Sequence, residues 1–100
     1  MLRIAFAGTP AFALPALDAL ASSPHRLVGV LTQPDRPAGR GRALRASPVK
    51  QRALQLQLPI AQPERLVDAA THVLLRQWQP ELLVVVAYGL ILPRAVLELP

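Results

Sequence analysis

The chemistry suggested by this sequence is concentrated in its basic residues. Six of the eleven lysines and arginines lie between residues 36 and 52 with no acid among them: Arg36, Arg40, Arg42, Arg45, Lys50 and Arg52. Guanidinium groups form charge-assisted, bidentate hydrogen bonds with phosphate, so a series of them indicates an extended polyanion such as RNA. The stretch has no aromatic residue, which favours contacts with the nucleic-acid backbone over base stacking. A solvated basic loop that binds nothing is the alternative.

Two shorter segments have compositions that suit a binding site. Gly8, Thr9 and Pro10 resemble a truncated nucleotide-binding fingerprint, although no further glycine follows at the required positions. A helix beginning at Pro10 could bind phosphate at its N-terminus, but the spacing alone favours a simple tight turn. Residues 88–93 follow an apolar stretch and could wall a pocket for a flat heterocycle, to which they would present backbone N–H and C=O groups. Packing of a strand end against a neighbouring element is the alternative there, and composition alone favours it.

Other reactive side chains are scarce. The chain has no cysteine, which excludes disulfides, thiolate nucleophiles and cysteine metal sites, and this fits a reducing compartment. We therefore expect a cytoplasmic protein. His25 and His72 have no partner at metal-ligand or catalytic-triad spacing, so we expect no metal. The apolar run 82–92 is shorter than the roughly 20 residues that a membrane helix needs, and the segment 8–10 interrupts the amino-terminal run too early for a signal peptide.

Alternating sequence patterns predict the elements that would position these segments. Strands are predicted at residues 2–8, 26–33, 58–63 and 81–89. Helices are predicted from Thr9 and Pro10 to about residue 22, from Ser47 and Pro48 to about residue 58, and from residue 64 to residue 78. Pro15 predicts a kink or a late start of the first helix. The unbroken apolar strand 81–89 indicates helices on both faces of a parallel sheet, so the predicted fold class is α/β, doubly wound.

The three candidate segments all follow predicted strands. The segment 8–10 follows the first strand, the basic segment follows the second, and residues 88–93 follow the fourth. Ligands of open α/β sheets bind at the carboxyl ends of the strands, near the point where the strand order reverses. We therefore expect the three segments to converge on one edge of the sheet, with the basic residues in an irregular loop at 34–47.

Three blocks of sequence together resemble the methionyl-tRNA formyltransferase family. They are FAGTPAFA at 6–13, TQPDRPAGRGRALRASPVK at 32–50 and VVVAYGLILP at 84–93, and they agree with the family in order, spacing and residue identity. The resemblance covers essentially the whole chain, residues 1–100, as the amino-terminal portion of the family's catalytic domain. It implies a Rossmann-like parallel sheet with helices on both faces. The basic block separates this family from relatives that formylate small molecules.

The resemblance also implies partners and site residues. The family transfers a formyl group from 10-formyltetrahydrofolate to the amino group of methionine on initiator tRNA. Its basic loop lies against the tRNA acceptor stem, which assigns tRNA contacts, with Arg42 foremost, to Arg36, Arg40, Arg42, Arg45 and Lys50. Main-chain groups of the third block line the folate pocket of the family, which assigns folate binding to Ala87, Tyr88, Gly89, Leu90, Ile91 and Leu92.

The family's catalytic groups have no counterparts in residues 1–100. Its catalytic asparagine, histidine and aspartate and its carboxy-terminal β-barrel domain lie further along, so we expect this polypeptide to be catalytically incomplete alone. The last predicted strand would then have an open edge that invites self-association. Two alternatives stay open. One is a non-enzymatic RNA-binding module, and the other is a small-molecule folate-dependent formyltransferase, against which the arginines argue.

Overall fold

The computed structural model describes residues 1–38, 43–64 and 69–89. Its elements in chain order are β1 (Arg3–Gly8), a 3-10 turn (Ala11–Ala13), α1 (Leu14–Ala21), β2 (Arg26–Leu31), β3 (Arg36–Ala38), β4 (Ala43–Arg45), α2 (Pro48–Gln55), β5 (Ile60–Ala61), α3 (Ala69–Trp78) and β6 (Leu82–Val86). The predicted alternation of strands and helices is confirmed. The two short strands β3 and β4 are an addition that the sequence did not predict.

Four of the strands form one parallel sheet in the order β5-β2-β1-β6. Each neighbouring pair in this sheet is parallel, and β1 lies between β2 and β6. The chain therefore starts in the middle of the sheet and crosses over to each side in turn. This is the doubly wound, Rossmann-like arrangement that the sequence predicts, and it directs the carboxyl ends of all four strands to one edge.

Helices cover both faces of the sheet, and each face has its own apolar core. One core is built from the sheet, α1 and α2 and contains Phe6, Leu17, Val30, Val49 and Ala53. The other is built from the sheet and α3 and contains Ala5, Ala7, Leu31, Leu75 and Trp78. Burial of each large apolar side chain contributes roughly 1.5–3 kcal/mol, so these two cores hold the strands in place.

The core position of Trp78 depends on a glycine in the neighbouring strand. β2 contains a bulge, and a Cβ at Gly29 would lie 2.5 Å from carbons of the indole ring. The guanidinium of Arg3 donates hydrogen bonds to the carbonyls of Trp78 and Gln79 at the end of α3. The prediction that Trp78 belongs to the core is confirmed, and these contacts close the amino edge of the sheet, away from the candidate site.

The first helix begins later than its apparent cap predicts. The prediction that Thr9 caps a helix with Pro10 in its first turn is wrong, because the Thr9 hydroxyl donates to the carbonyl of Tyr88 instead. A 3-10 turn intervenes, and α1 begins at Leu14 with Pro15 in its first turn. A proline tolerates that position because its missing N–H would have no partner there. The late start predicted from Pro15 is therefore confirmed.

The basic segment is ordered into a ribbon over its described length. β3 and β4 pair antiparallel, with Arg36 opposite Arg45 and Pro37 opposite Leu44. The prediction of an irregular loop at 34–47 is wrong for the residues of β3 and β4. Three-residue strands that contain arginine and proline show no apolar alternation, so the sequence carries no strand signal there.

The last strand is shorter and more exposed than its apolar sequence predicts. β6 ends at Val86, because Ala87 adopts a positive φ of 52° that turns the chain. Leu82 is 44% exposed and Val85 is 41% exposed. Among the described residues β6 pairs with β1 alone, so its outer edge has no strand neighbour there. Self-association through this edge stays a prediction.

Candidate functional site

The turns that follow the strands meet at the carboxyl edge of the sheet. Thr9 follows β1, Gln33 follows β2 and Tyr88 follows β6. The Thr9 hydroxyl donates a hydrogen bond of 2.8 Å to the Tyr88 carbonyl, and Nε2 of Gln33 donates one of 3.0 Å to the same oxygen. The predicted convergence of the three segments is confirmed for their described residues.

Gln33 joins several elements at this edge. Its N–H donates to Oγ1 of Thr9 at 3.4 Å, and its carbonyl accepts from Nε2 of Gln62 at 3.2 Å. Its side-chain oxygen accepts a hydrogen bond of 3.0 Å from the guanidinium of Arg36. With the bond from its amide nitrogen to the Tyr88 carbonyl, all four polar groups of Gln33 have partners.

The turn at residues 87–89 is pressed against Gln33. Gly89 has a φ of 95°, and a Cβ at this position would lie 2.0 Å from Nε2 of Gln33. Only glycine fits both this backbone conformation and this contact. The backbone of the turn is therefore placed next to the root of the basic ribbon, by which we mean the segments that lead into β3 and out of β4, residues 32–35 and 46–47.

The ribbon of β3 and β4 has a basic face and an apolar face. Arg36 and Arg45 are directly opposite each other, so their side chains project from the same face, whereas Pro37 and Leu44 project from the other. Both arginines are exposed. Like charges in directly opposite positions repel each other, so this pair favours an anion that binds between or beside them.

An open cleft of about 360 Å³ lies between the ribbon and the sheet edge. It is lined by the turn after β1, the segment after β2, both paired arginines and the start of α2: Thr9, Pro10, Ala11, Gln33, Pro34, Arg36, Arg45, Ala46, Ser47 and Pro48. Its walls are largely proline and alanine, with cationic groups along one side. Such a cleft suits a ligand that has an anionic part and an apolar part.

Side-chain contacts hold the root of the ribbon. Ser47 caps α2 as predicted, since its Oγ accepts from the Lys50 amide at 3.0 Å, and it also lies 2.6 Å from Oγ1 of Thr32. Nζ of Lys50 lies 3.1 Å from both carboxylate oxygens of Asp35, and Nε2 of Gln62 donates to the same carboxylate at 2.8 Å. The hydrogen bonds from Gln62 and Lys50 lower the pKa of Asp35.

Two of the four clustered cations in the described part of the chain are already paired within the fold. Lys50, a predicted tRNA contact, forms an ion pair with Asp35, and Arg52 forms one with Asp18 at 2.7 Å. A paired ammonium attracts phosphate less than an unpaired one, because the nearby carboxylate offsets its field. The structure therefore gives Lys50 a contact at the ribbon root that the sequence did not indicate.

Tyr88 contributes its backbone, and not its side chain, to the candidate site. The ring is buried in the core beneath α3, with 2% of the residue exposed. Its hydroxyl is buried without a hydrogen-bond partner among the described residues, and burial raises the pKa of the phenol to about 12. Only its main chain faces the edge, and the folate-binding role of this segment stays a prediction.

Several predicted site residues lie outside the described part of the chain: Arg40, Arg42, Leu90, Ile91 and Leu92. The structure brings the others together, with Arg36, Arg45 and Lys50 in or beside the ribbon and residues 87–89 in the adjoining turn. Sequence reasoning did not find Thr9, Gln33 or Gln62 as organising residues. Their position in the sequence was the signal that could have identified them, since each is a polar residue one or two positions after a strand.

Neither a metal site nor a membrane span is found in the part of the chain that the structure describes. Within residues 1–38, 43–64 and 69–89 no three histidine, cysteine or acidic residues are grouped to hold a metal ion. No helix of those residues has the length and apolar character needed to cross a bilayer.

Comparison with known proteins gives a consistent family match. The family model described as "Formyl transferase" matches residues 2–100. Methionyl-tRNA formyltransferases of Pseudomonas syringae pv. syringae (strain B728a), Stenotrophomonas maltophilia (strain K279a) and Hydrogenovibrio crunogenus are 61%, 60% and 56% identical to this chain over 99 residues. Each match covers 99% of this chain and 32% of the relative, so the chain spans about a third of the length of these curated relatives.

Proposed function

We propose, from the premise that this chain belongs to the formyl transferase family, that it forms the substrate-binding edge of a methionyl-tRNA formyltransferase. The reaction is transfer of a formyl group from 10-formyltetrahydrofolate to the amino group of methionine on initiator tRNA. The observation that carries this proposal is the junction at Gln33, where the basic ribbon and the turn 87–89 share one side chain. An RNA-binding element and a folate-binding element must adjoin in an enzyme that joins these substrates.

The RNA part of the proposal rests on the arginines. Arg36 and Arg45 project from one face of the ribbon, and Arg40 and Arg42 lie between its strands in the sequence. We assign these four residues to phosphates of the acceptor stem. Lys50 has a different part in this proposal, because its ion pair with Asp35 holds the ribbon root.

The folate part rests on the turn after β6. We assign the lining of the pterin pocket to residues 87–92, through main-chain groups, as the family resemblance implies. The Tyr88 carbonyl already accepts two hydrogen bonds inside the fold, so in this proposal it shapes the turn and other backbone groups meet the ligand. No metal is part of the proposal.

The chemical step requires groups that this proposal does not assign to residues 1–100. Formyl transfer needs a base for the amine proton and donors for the oxyanion of the tetrahedral intermediate. We place the family's catalytic asparagine, histidine and aspartate, and its β-barrel domain, outside these residues. The contribution of this chain is then to bind and orient both substrates, in the cytoplasm where translation starts, and residues 1–100 alone are expected to be inactive.

Formylation by the complete protein, meaning the product of the whole reading frame that encodes this chain, tests the proposal. Incubation with initiator methionyl-tRNA and 10-formyltetrahydrofolate should give formylmethionyl-tRNA, and omission of the donor should give none. If the complete protein binds tRNA but forms no product, a non-enzymatic RNA-binding module explains the ribbon better. If it formylates a small amine and ignores tRNA, the RNA assignment is wrong.

The salt dependence of tRNA binding tests the arginines separately. Arg36→Gln and Arg45→Gln should each weaken binding and reduce the slope of log Kd against log salt concentration by about one, because each removes one phosphate contact. Arg76→Gln is the matched control, since Arg76 is exposed near the end of α3 and far from the ribbon. Equal slopes for all three variants would remove the ribbon from the RNA interface.

A further inference from the structure

We infer that Gln33 is a positioning residue that couples the two binding elements, so that folate at the turn 87–89 strengthens RNA binding at the ribbon and RNA strengthens folate binding. The inference rests on the proposed function for the identity of the two ligands. It goes further in naming one side chain through which the two sites communicate.

The contacts of Gln33 give the route of the coupling. Its side-chain nitrogen donates to the Tyr88 carbonyl at 3.0 Å, and its side-chain oxygen accepts from the Arg36 guanidinium at 3.0 Å. One rigid, planar amide therefore spans from the turn to the ribbon. A ligand that fixes the turn also fixes this amide, and with it the orientation of Arg36.

A carboxamide satisfies both partners at once, because it carries a donor and an acceptor at its two ends. A carbonyl oxygen accepts hydrogen bonds, whereas a guanidinium only donates them. The partners therefore determine which way the amide faces, with nitrogen toward Tyr88 and oxygen toward Arg36. A carboxylate would keep the contact with Arg36 but would place a second acceptor against the Tyr88 carbonyl.

The packing around Gln33 leaves little freedom for the amide to move alone. A Cβ on Gly89 would lie 2.0 Å from its nitrogen, so the turn is in close contact with the side chain. Its backbone is held by Thr9 at 3.4 Å and by Gln62 at 3.2 Å. A shift of the turn must therefore move the amide or break its bond.

The sign of the coupling follows from the conformational freedom that the protein loses when a ligand binds. Arg36 and the turn each lose conformational freedom when a ligand binds. If the first ligand has already fixed the turn, and through the shared amide Arg36, the second ligand pays less of this entropy and binds more tightly. Linkage requires the two effects to be equal in magnitude.

Equilibrium binding to the complete protein tests the inference. The quantity is the ratio of the Kd of uncharged initiator tRNA without tetrahydrofolate to its Kd with saturating tetrahydrofolate, measured by fluorescence anisotropy. We expect a ratio of about five or more in the unaltered protein, within the usual range of allosteric coupling. In Gln33→Met, which keeps the length and adds no charge, we expect a ratio of about one. Because Gln33 lines the candidate cleft, each ligand alone should bind this variant more weakly, so the ratio and not either affinity carries the test.

Two further variants make the test specific. Gln33→Glu should also give a ratio near one, because it keeps the acceptor for Arg36 and loses the donor for Tyr88. Gln77→Met, on the exposed surface of α3 at the amino edge of the sheet, is the matched control and should keep the ratio of the unaltered protein. Loss of the amide hydrogen bonds is expected to lower the melting temperature of both Gln33 variants. A purely structural defect would weaken both affinities and leave their ratio unchanged, whereas loss of coupling brings the ratio to one.

The outcomes separate this inference from the proposed function. If the unaltered protein binds neither ligand, the proposed function fails and the inference fails with it. If both ligands bind but the ratio is one in the unaltered protein, or stays above one in Gln33→Met and Gln33→Glu, the proposed function survives and the coupling role of Gln33 is overturned.

Discussion

Gly89 lies where its backbone and its neighbour both exclude a larger side chain. Its φ is 95°, and a Cβ there would lie 2.0 Å from the side-chain nitrogen of Gln33. Gly89→Ala is expected to lower the free energy of unfolding by about 1–3 kcal/mol, because the new methyl group strains the backbone and displaces the amide. Urea unfolding of the complete protein measures this difference.

Ala87 provides a control for the same turn. Its φ of 52° is also positive, but it carries a side chain that already fits. Ala87→Gly should leave the free energy of unfolding unchanged or slightly raised, because glycine adopts this conformation without steric cost. If Gly89→Ala were as stable as the unaltered protein, the turn could not be packed against Gln33 as described.

Tyr88 should make the stability of the protein depend on pH in alkaline solution. Burial raises the pKa of its phenol from 10.0 to about 12. Because the folded protein holds this proton more tightly than the unfolded chain does, its contribution to stability is complete below pH 10 and is lost as the pH rises toward about 12. Tyr88→Phe should show a smaller loss of stability over this interval.

The same variant tests the environment of the hydroxyl. The hydroxyl is buried without a partner among the described residues, so its removal should raise the free energy of unfolding at neutral pH by about 1 kcal/mol. Chemical unfolding at neutral pH and at alkaline pH gives both quantities for both proteins. Parallel losses of stability in the two proteins would show that the Tyr88 phenol is not the group that titrates.

At the scale of elements, the root of the basic ribbon depends on Asp35. This carboxylate accepts hydrogen bonds from Gln62 and Lys50, which lower its pKa. Its contribution to stability is therefore present above its ordinary value of 3.8 and is lost as the pH falls through the lowered value. The ion pair is partly exposed, so solvent screens it and its contribution to stability is small.

Asp35→Asn distinguishes two roles for Lys50. If Lys50 binds phosphate directly, the substitution frees its charge and tightens tRNA binding. If Lys50 holds the ribbon root, binding weakens, and we expect a loss of up to about fivefold in Kd. The substitution also raises the net charge by one, so a weaker complex cannot come from the overall field of the protein.

Asp18→Asn is the matched control for the charge change. Asp18 also pairs with a basic residue, Arg52, but on the far side of α2 from the ribbon root. Loss of the Asp18 charge should leave tRNA affinity unchanged or slightly higher. Tighter binding in Asp35→Asn than in Asp18→Asn would return Lys50 to the set of direct RNA contacts.

The elements also show where sequence patterns succeed and where they fail. Ser47 was predictable as a cap because its hydroxyl accepts from a local amide, that of Lys50, as its sequence pattern indicates. Thr9 has the same local pattern, but it donates to Tyr88, which is distant in sequence. The ribbon was missed for a similar reason, since its pairing depends on the position of its root and not on apolar alternation.

At the scale of the whole molecule, the parallel sheet was the most predictable feature. Short, unbroken apolar runs separated by helical patterns leave few possible topologies. The sheet order then brings the turns after the strands to one edge, so the general location of the candidate site followed from the fold. The roles of Gln33 and Gln62 did not follow, because a polar residue after a strand is common and its partners are known only from the folded chain.

Amide hydrogen exchange of the complete protein, measured with tRNA alone and with tetrahydrofolate alone, tests the central claim that both ligands bind one edge. We expect tRNA to protect residues 43–50, tetrahydrofolate to protect residues 84–89, and both ligands to protect the shared segment 32–36. Protection by either ligand confined to α3 or to the amino ends of the strands, with residues 32–36 unchanged, would contradict a shared site.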